Sequence, residues 1–137
     1  MRILLAFDTS DESGRAREWA GRLASGEARS TITVVGVVPT LEMTPATRDA
    51  VDPTSHPERL QAALDDAAAE LAKQVPNARV RTTLLAGNPA EQLVEAARSA
   101  DVIVIGKAGA HGMRRFLIGG VTERVARHAK SPVFIIP

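Results

Sequence analysis

The chain has 137 residues, of which 45% are apolar and 24% charged, with a formal net charge of +1. That is the size expected of one domain, residues 1–137, able to bury a core without disulfide or metal support. The absence of cysteine excludes a disulfide framework, thiolate chemistry and cysteine-based metal sites, and a cytoplasmic location is the expectation. Aromatic residues make up only 3%, so the core must be aliphatic. A total charge near zero, with no aromatic interleaved among the basic residues, argues against a nucleic-acid partner. No apolar run approaches membrane-spanning length, and no membrane partner is expected.

Residues 3–7 (Ile-Leu-Leu-Ala-Phe) form a continuous apolar run that Asp8 ends. Five residues are too few for a signal-peptide core, and a run without alternation reads as a strand buried on both faces. Ser10 can cap a helix over residues 11–25, in which Asp11 and Glu12 favour the positive end and Ala16, Trp19, Ala20, Leu23 and Ala24 recur at helical spacing. Residues 31–38 are β-branched almost throughout, interrupted by Gly36 and followed by Pro39, which predicts a second strand. Residues 40–57 contain three prolines and no periodicity, so they read as a long loop, of the kind that often serves as a lid.

Pro57 opens a helix with Leu60, Ala63, Leu64, Ala67, Ala68 and Leu71 in one stripe, ending near Pro76. Residues 79–85 begin with Val80 between Arg79 and Arg81, as on a sheet edge, and Gly87 closes them. Asn88, Pro89 and Glu91 stand at the cap, first and third positions of a third helix, whose inner face is Leu93, Val94, Ala96 and Ala97. A strand over residues 101–105, a helix over about residues 119–130 and a final apolar run at 132–136 complete the chain. Five strands alternating with four helices predict a doubly wound α/β fold, with one mostly parallel sheet covered on both faces. The short apolar strand at the end needs cover or a second copy, so a homodimer through Val133–Ile136 is expected.

The stretch from 101 to 122 sets glycines at Gly106, Gly109, Gly112, Gly119 and Gly120 between a buried strand and a helix. Such a loop lies at the carboxyl edge of a parallel sheet, where backbone N–H groups can face an anion at a helix N-terminus. Charge follows the same division: residues 1–105 carry 11 basic and 15 acidic side chains, whereas residues 106–137 carry six basic and one acidic. This suits a small anionic ligand, and equally a solvated helix face. The P-loop, dinucleotide G-x-G-x-x-G, H-E-x-x-H and G-x-S-x-G patterns are all absent.

Three features together resemble the universal stress protein family: residues 3–10 at the start, residues 87–91 before the third helix, and Gly106-x-x-Gly109 followed after nine residues by Gly119. Residues 121–125 and 131–133 fit the same pattern, so the resemblance spans essentially the whole chain. It implies a flavodoxin-like (Rossmann-like) sheet of order 3-2-1-4-5 and a cytoplasmic homodimer. In one branch of the family it also implies ATP at the sheet's carboxyl edge, with AMP or ADP as related ligands and Mg2+ accompanying the nucleotide. That branch carries Ser or Thr where this chain has Gly120, which removes one hydroxyl contact to phosphate.

By the family pattern, Gly106, Gly109 and Gly119 contact phosphate, and the N–H groups of Gly120 and Val121 remain available at a helix N-terminus. Asp8 is then expected at the ribose or adenine, with Ala6 and Phe7 lining that wall, Val37 at the adenine, and Ile105 and Ala108 flanking the first glycines. Asp8 has two further readings, a turn residue capping backbone N–H groups with Ser10 and a carboxylate reaching Mg2+ through the phosphates. Lys107, Arg114, Arg115 and His111 are phosphate candidates or solvated loop residues, and His56 and His128 read as structural or exposed. The function so implied is a stress-related regulatory protein, a dimeric switch responding to nucleotide, with at most slow ATP hydrolysis. A dimeric interaction module of the same fold without nucleotide is the alternative, and a protein partner is not identified by the sequence.

Overall fold

The computed structural model describes residues 1–40, 56–108 and 118–137. Five strands, β1 (Arg2–Ala6), β2 (Thr31–Pro39), β3 (Arg79–Gly87), β4 (Val102–Gly106) and β5 (Val133–Ile136), form one sheet of order β3-β2-β1-β4-β5. Every neighbouring pair is parallel. Among the described residues four α-helices connect them: α1 (Asp11–Ser25), α2 (Pro57–Gln74), α3 (Pro89–Ala96) and α4 (Gly120–His128). The doubly wound, flavodoxin-like order 3-2-1-4-5 expected from the sequence is the one observed.

Local chemistry explains where the helices begin. Ser10 caps α1, its Oγ accepting from the Ser13 amide at 3.1 Å. Asn88 caps α3 in the same way, its Oδ1 accepting from the Glu91 amide at 3.1 Å, with Pro89 at the first position. The last helix stops at His128, two residues before the expected end at 130. Pro132 disfavours helical backbone in the residue before it, and Ala129 already has extended dihedrals.

Strand alternation divides the core into two layers. Ile3, Leu5, Ile32, Val34 and Val104 face α1 and α2, where they meet Ala16, Ala20, Leu64 and Leu71. Leu4, Ala6, Val35, Ile103 and Ile105 face α3 and α4, packing with Ala90, Leu93, Ala97 and Val125. The small residues on the inner face of α1 let it lie close against the sheet. β1 sits centrally, with β2 on one side and β4 on the other, and the crossovers leave its two sides toward opposite faces. The carboxyl ends of β1 and β4 therefore form the switch point at which such sheets hold ligands.

The amino ends of the same two strands are tied by an ion pair. Arg2 Nη2 lies 2.9 Å from Asp101 Oδ1, the Arg2 amide donates to Asp101 Oδ2 at 2.7 Å, and the Asp101 amide donates to the Arg2 carbonyl at 2.8 Å. Hydrogen bonds from the Arg2 side chain and then its amide hold the Asp101 carboxyl down at about 2, from an ordinary 3.8. A depressed carboxyl stabilises the fold above its unfolded value, and this contribution disappears as pH falls from near 4 through about 2. An NMR titration should place Asp101 near that low value, and in Arg2→Gln the midpoint should return toward 3.8.

Candidate functional site

Three chain segments meet at the switch point: the turn after β1, the end of β4 and the start of α4. Ala6 is buried on the α3 side of the sheet, together with half-buried Val37 from β2 and buried Ile105 from β4. Phe7 lies on the other side, half-buried against the α1–α2 layer, and its amide donates to the Val35 carbonyl at 2.9 Å. The two wall residues expected beside Asp8 thus point to opposite faces of the sheet.

Asp8 is exposed and engaged in the turn. Its Oδ1 accepts from both the Ser10 amide, at 3.0 Å, and the Ser10 hydroxyl. Ser10 in turn caps α1, so Asp8 orients the capping hydroxyl. Between them Thr9 adopts φ of 70°, a left-handed conformation that is unusual for a β-branched residue and costs on the order of 1–3 kcal/mol. Thr9→Gly should relieve this, offset by the entropy that glycine adds to the unfolded chain, and raise stability by up to about 1 kcal/mol in urea denaturation.

Gly106 ends β4 in a crowded place. A Cβ built there would stand 2.7 Å from Glu12 Cβ and 3.0 Å from the Glu12 carbonyl carbon. Its lack of a side chain lets the first turn of α1 pack onto the end of β4. Beyond it, the Lys107 amide donates to the Ile136 carbonyl at 2.6 Å, and the Lys107 carbonyl accepts from the Gly119 amide at 2.8 Å. These bonds bring the two ends of the glycine-rich stretch together beside β5. Gly109, Gly112, His111, Arg114 and Arg115 lie outside the described residues, as do residues 41–55 of the long segment before α2; Ala108 is half-buried.

Helix α4 starts with Gly119 at the cap and makes no side-chain capping hydrogen bond. The Gly120 and Val121 N–H groups occupy its first turn, where a helix has no internal acceptor for them and the positive end of the dipole lies. Gly120 and Val121 are exposed, and a Cβ on Gly120 would meet nothing within 4 Å. The first turn is anchored from below by Thr122, a residue the sequence reading did not single out. Its buried hydroxyl donates to the Gly106 carbonyl at 2.8 Å, which fixes the start of α4 over the end of β4. No local pattern marks such a threonine, because its partner belongs to another element.

His128 is exposed, as is His56, which precedes α2 without capping it through its side chain. His128 helps line a cavity of about 90 Å³ between α3 and α4, together with Ala90, Glu91, Val94 and Arg124. That cavity contains none of the residues singled out for ligand contact. Among the described residues no helix is long and apolar enough to cross a membrane, and no three His, Asp or Glu side chains gather in a metal-holding group.

Comparison with known proteins agrees with this architecture. The model of the universal stress protein family matches residues 1–137. A universal stress protein of Methanocaldococcus jannaschii is 42% identical over 60 residues; the match covers 42% of this chain and 35% of that protein, about a third of the relative's length. The structure of universal stress protein UspA from Lactobacillus plantarum has a TM-score of 0.81 at 24% identity, covering 100% of this chain and 97% of the other. The universal stress protein from Archaeoglobus fulgidus in complex with dAMP has a TM-score of 0.72 at 25% identity, covering 100% of this chain and 98% of that one. With a family match along its whole length and the same sheet order, this chain belongs to the universal stress protein family.

Proposed function

We propose that the protein is a stress-related regulator that binds an adenine nucleotide at the carboxyl edge of the sheet. The reading is supported above all by the Archaeoglobus fulgidus relative, which shares the fold and is in complex with dAMP. Within this chain it is supported by the first turn of α4, which has no side-chain cap and holds the exposed residues Gly120 and Val121 at the switch point. ATP is the proposed ligand, with AMP and ADP as shorter forms of the same chemistry. In this reading the α4 amides and Gly106, Gly109 and Gly119 receive phosphate, while Ala6, Val37 and Ile105 form the apolar side toward the base. Asp8 and Phe7 flank the nucleoside from the turn after β1. Mg2+ would arrive with the phosphates, and Asp8 would reach it through them while still orienting Ser10.

The proposed role is a cytoplasmic switch rather than an enzyme. Asp8 is the one carboxylate assigned to the site, and its tie to the Ser10 cap suits it poorly to activating water, so hydrolysis is at most slow. The proposed dimer forms through β5, a four-residue edge strand carrying Phe134, which is 43% exposed. Nucleotide bound beside this edge is then placed to change the surface that a partner reads.

A second reading, an interaction module of the same fold without nucleotide, is favoured by two observations. Gly120 stands where the binding branch carries a hydroxyl, and the glycine at 106 is accounted for by packing against Glu12. Melting curves separate the two readings. ATP with Mg2+ at a hundred times its dissociation constant should stabilise the fold by about 2.7 kcal/mol, whereas an unmoved melting temperature at millimolar nucleotide supports the module.

A further inference from the structure

Strand β3 forms the sheet edge opposite β5, and at nine residues it is the longer of the two. Among the described residues nothing pairs with its outer side. Alternation sorts its side chains: Val80 and Leu84 pack into the α1–α2 layer, and Thr82 meets Gln61 and Asp65 of α2. Arg79, Arg81, Thr83 and Leu85 turn toward the α3 side. Leu85 packs into that layer, whereas Arg79 and Arg81 are exposed.

The register sets Arg79 beside Thr31 and Arg81 beside Thr33, and Arg81 Nε donates to Thr33 Oγ1 at 2.9 Å. Arg2, next in the row beyond Thr31, is neutralised by Asp101. Neither Arg79 nor Arg81 has a carboxylate partner among the described residues. Among the described residues the edge therefore combines unpaired backbone groups with two guanidinium forks that lack an anion.

We infer that the outer edge of β3 receives an extended acidic segment of a partner protein as an added strand, with carboxylates at alternate positions meeting Arg79 and Arg81. An unpaired edge is a template for a further strand, and main-chain hydrogen bonds supply the affinity in that mode of recognition. The two arginines repeat at the strand period of about 6.6 Å, the spacing of every second side chain in the incoming strand, and each fork can bind a carboxylate through two nitrogens. Charge decides the occupant. A second copy pairing antiparallel along β3 would set Arg79 against Gly87 and Arg81 against Leu85, which offers neither guanidinium a carboxylate. A nucleic-acid strand would find no aromatic platform on β2 or β3. This edge is separate from the α4 site, so the inference does not depend on nucleotide binding.

The test uses the full chain labelled with 15N and a synthetic peptide of sequence Thr-Glu-Val-Glu-Val-Glu-Thr, with its Lys-for-Glu counterpart as control. The Glu peptide should shift the amides of β3 and slow their hydrogen exchange, and the Lys peptide should not. Affinity should fall about tenfold in Arg79→Glu/Arg81→Glu, with a smaller loss in Arg79→Gln/Arg81→Gln, both checked for folding by circular dichroism. Half-molar salt should weaken binding in the same direction. No shift at millimolar Glu peptide, equal binding of the Lys peptide, shifts confined to α4, or self-association through β3 would each overturn the inference.

Discussion

Gly106→Ala should destabilise the protein by about 1–3 kcal/mol, the usual cost of forcing an extra group into a packed site. The added methyl would stand 2.7 Å from Glu12 Cβ and 3.0 Å from backbone of the same residue. A flexible side-chain tip can swing away, but the first turn of α1 is held by the Ser10 cap and by the buried residues Ser13 and Ala16. The helix must therefore move as a unit, or β4 must bend where the Gly106 carbonyl accepts from Thr122. Both movements reach the switch point, so on the proposed reading the variant should also weaken nucleotide binding. Gly36→Ala is the contrasting control, because the atoms nearest its Cβ belong to the side chains of Leu60 and Leu64, at 3.1 Å, and not to backbone. Chemical denaturation of the two variants checks the difference, and equal losses would show that contact with α1 is not what requires glycine at 106.

Gly120→Ser should leave stability within about 0.5 kcal/mol of the parent, since a Cβ there enters open space at the first position of a helix. On the proposed reading it should tighten ATP. A hydroxyl bonded to phosphate contributes about 0.5–1.5 kcal/mol as an ordinary hydrogen bond and about 1.5–3 kcal/mol to a charged group. The affinity gain then runs from about twofold to somewhat over a hundredfold. Titration calorimetry of the parent and the variant gives the ratio directly, and an unchanged or weaker affinity would place the phosphate away from the start of α4.

The fold was legible because its signals are local and repeated. Ser10 and Asn88, each followed by a periodic apolar stripe, fix the starts of α1 and α3, and continuous aliphatic runs mark strands covered on both faces. Two strands begin and end one residue from expectation: β1 runs over Arg2–Ala6 and β4 over Val102–Gly106. Apolar character defines what is buried, whereas hydrogen bonding with the neighbouring strand defines where a strand ends. Arg2 and Gly106 are paired without belonging to the aliphatic runs.

The candidate site was legible in outline and less so in detail. Gly106, Gly119 and Gly120 look alike as glycines near a loop, yet they do different things. Gly106 makes room for α1, Gly119 closes the loop through the Lys107 carbonyl, and Gly120 faces open space. Nothing in the spacing separates these roles, because the first depends on Glu12 in a distant part of the chain. Asp8 shows the same limit, since its expected cap with Ser10 is present while a ligand role depends on what binds. Thr9 and Thr122 lie in the stretches 3–10 and 121–125 that resemble the family, yet neither had an assigned role, because a positive φ and a buried hydroxyl bond leave no composition signal.

Binding at the carboxyl edge is tested most directly by titrating the 15N-labelled protein with AMP, ADP and ATP, each with Mg2+, and following the backbone amides. Saturable shifts concentrated at Gly106, Gly119, Gly120 and Val121, with smaller ones at Ala6, Asp8 and Val37, are the predicted result. Amides unmoved by millimolar nucleotide, or shifts centred on the α3–α4 cavity around Arg124 and His128, would contradict it.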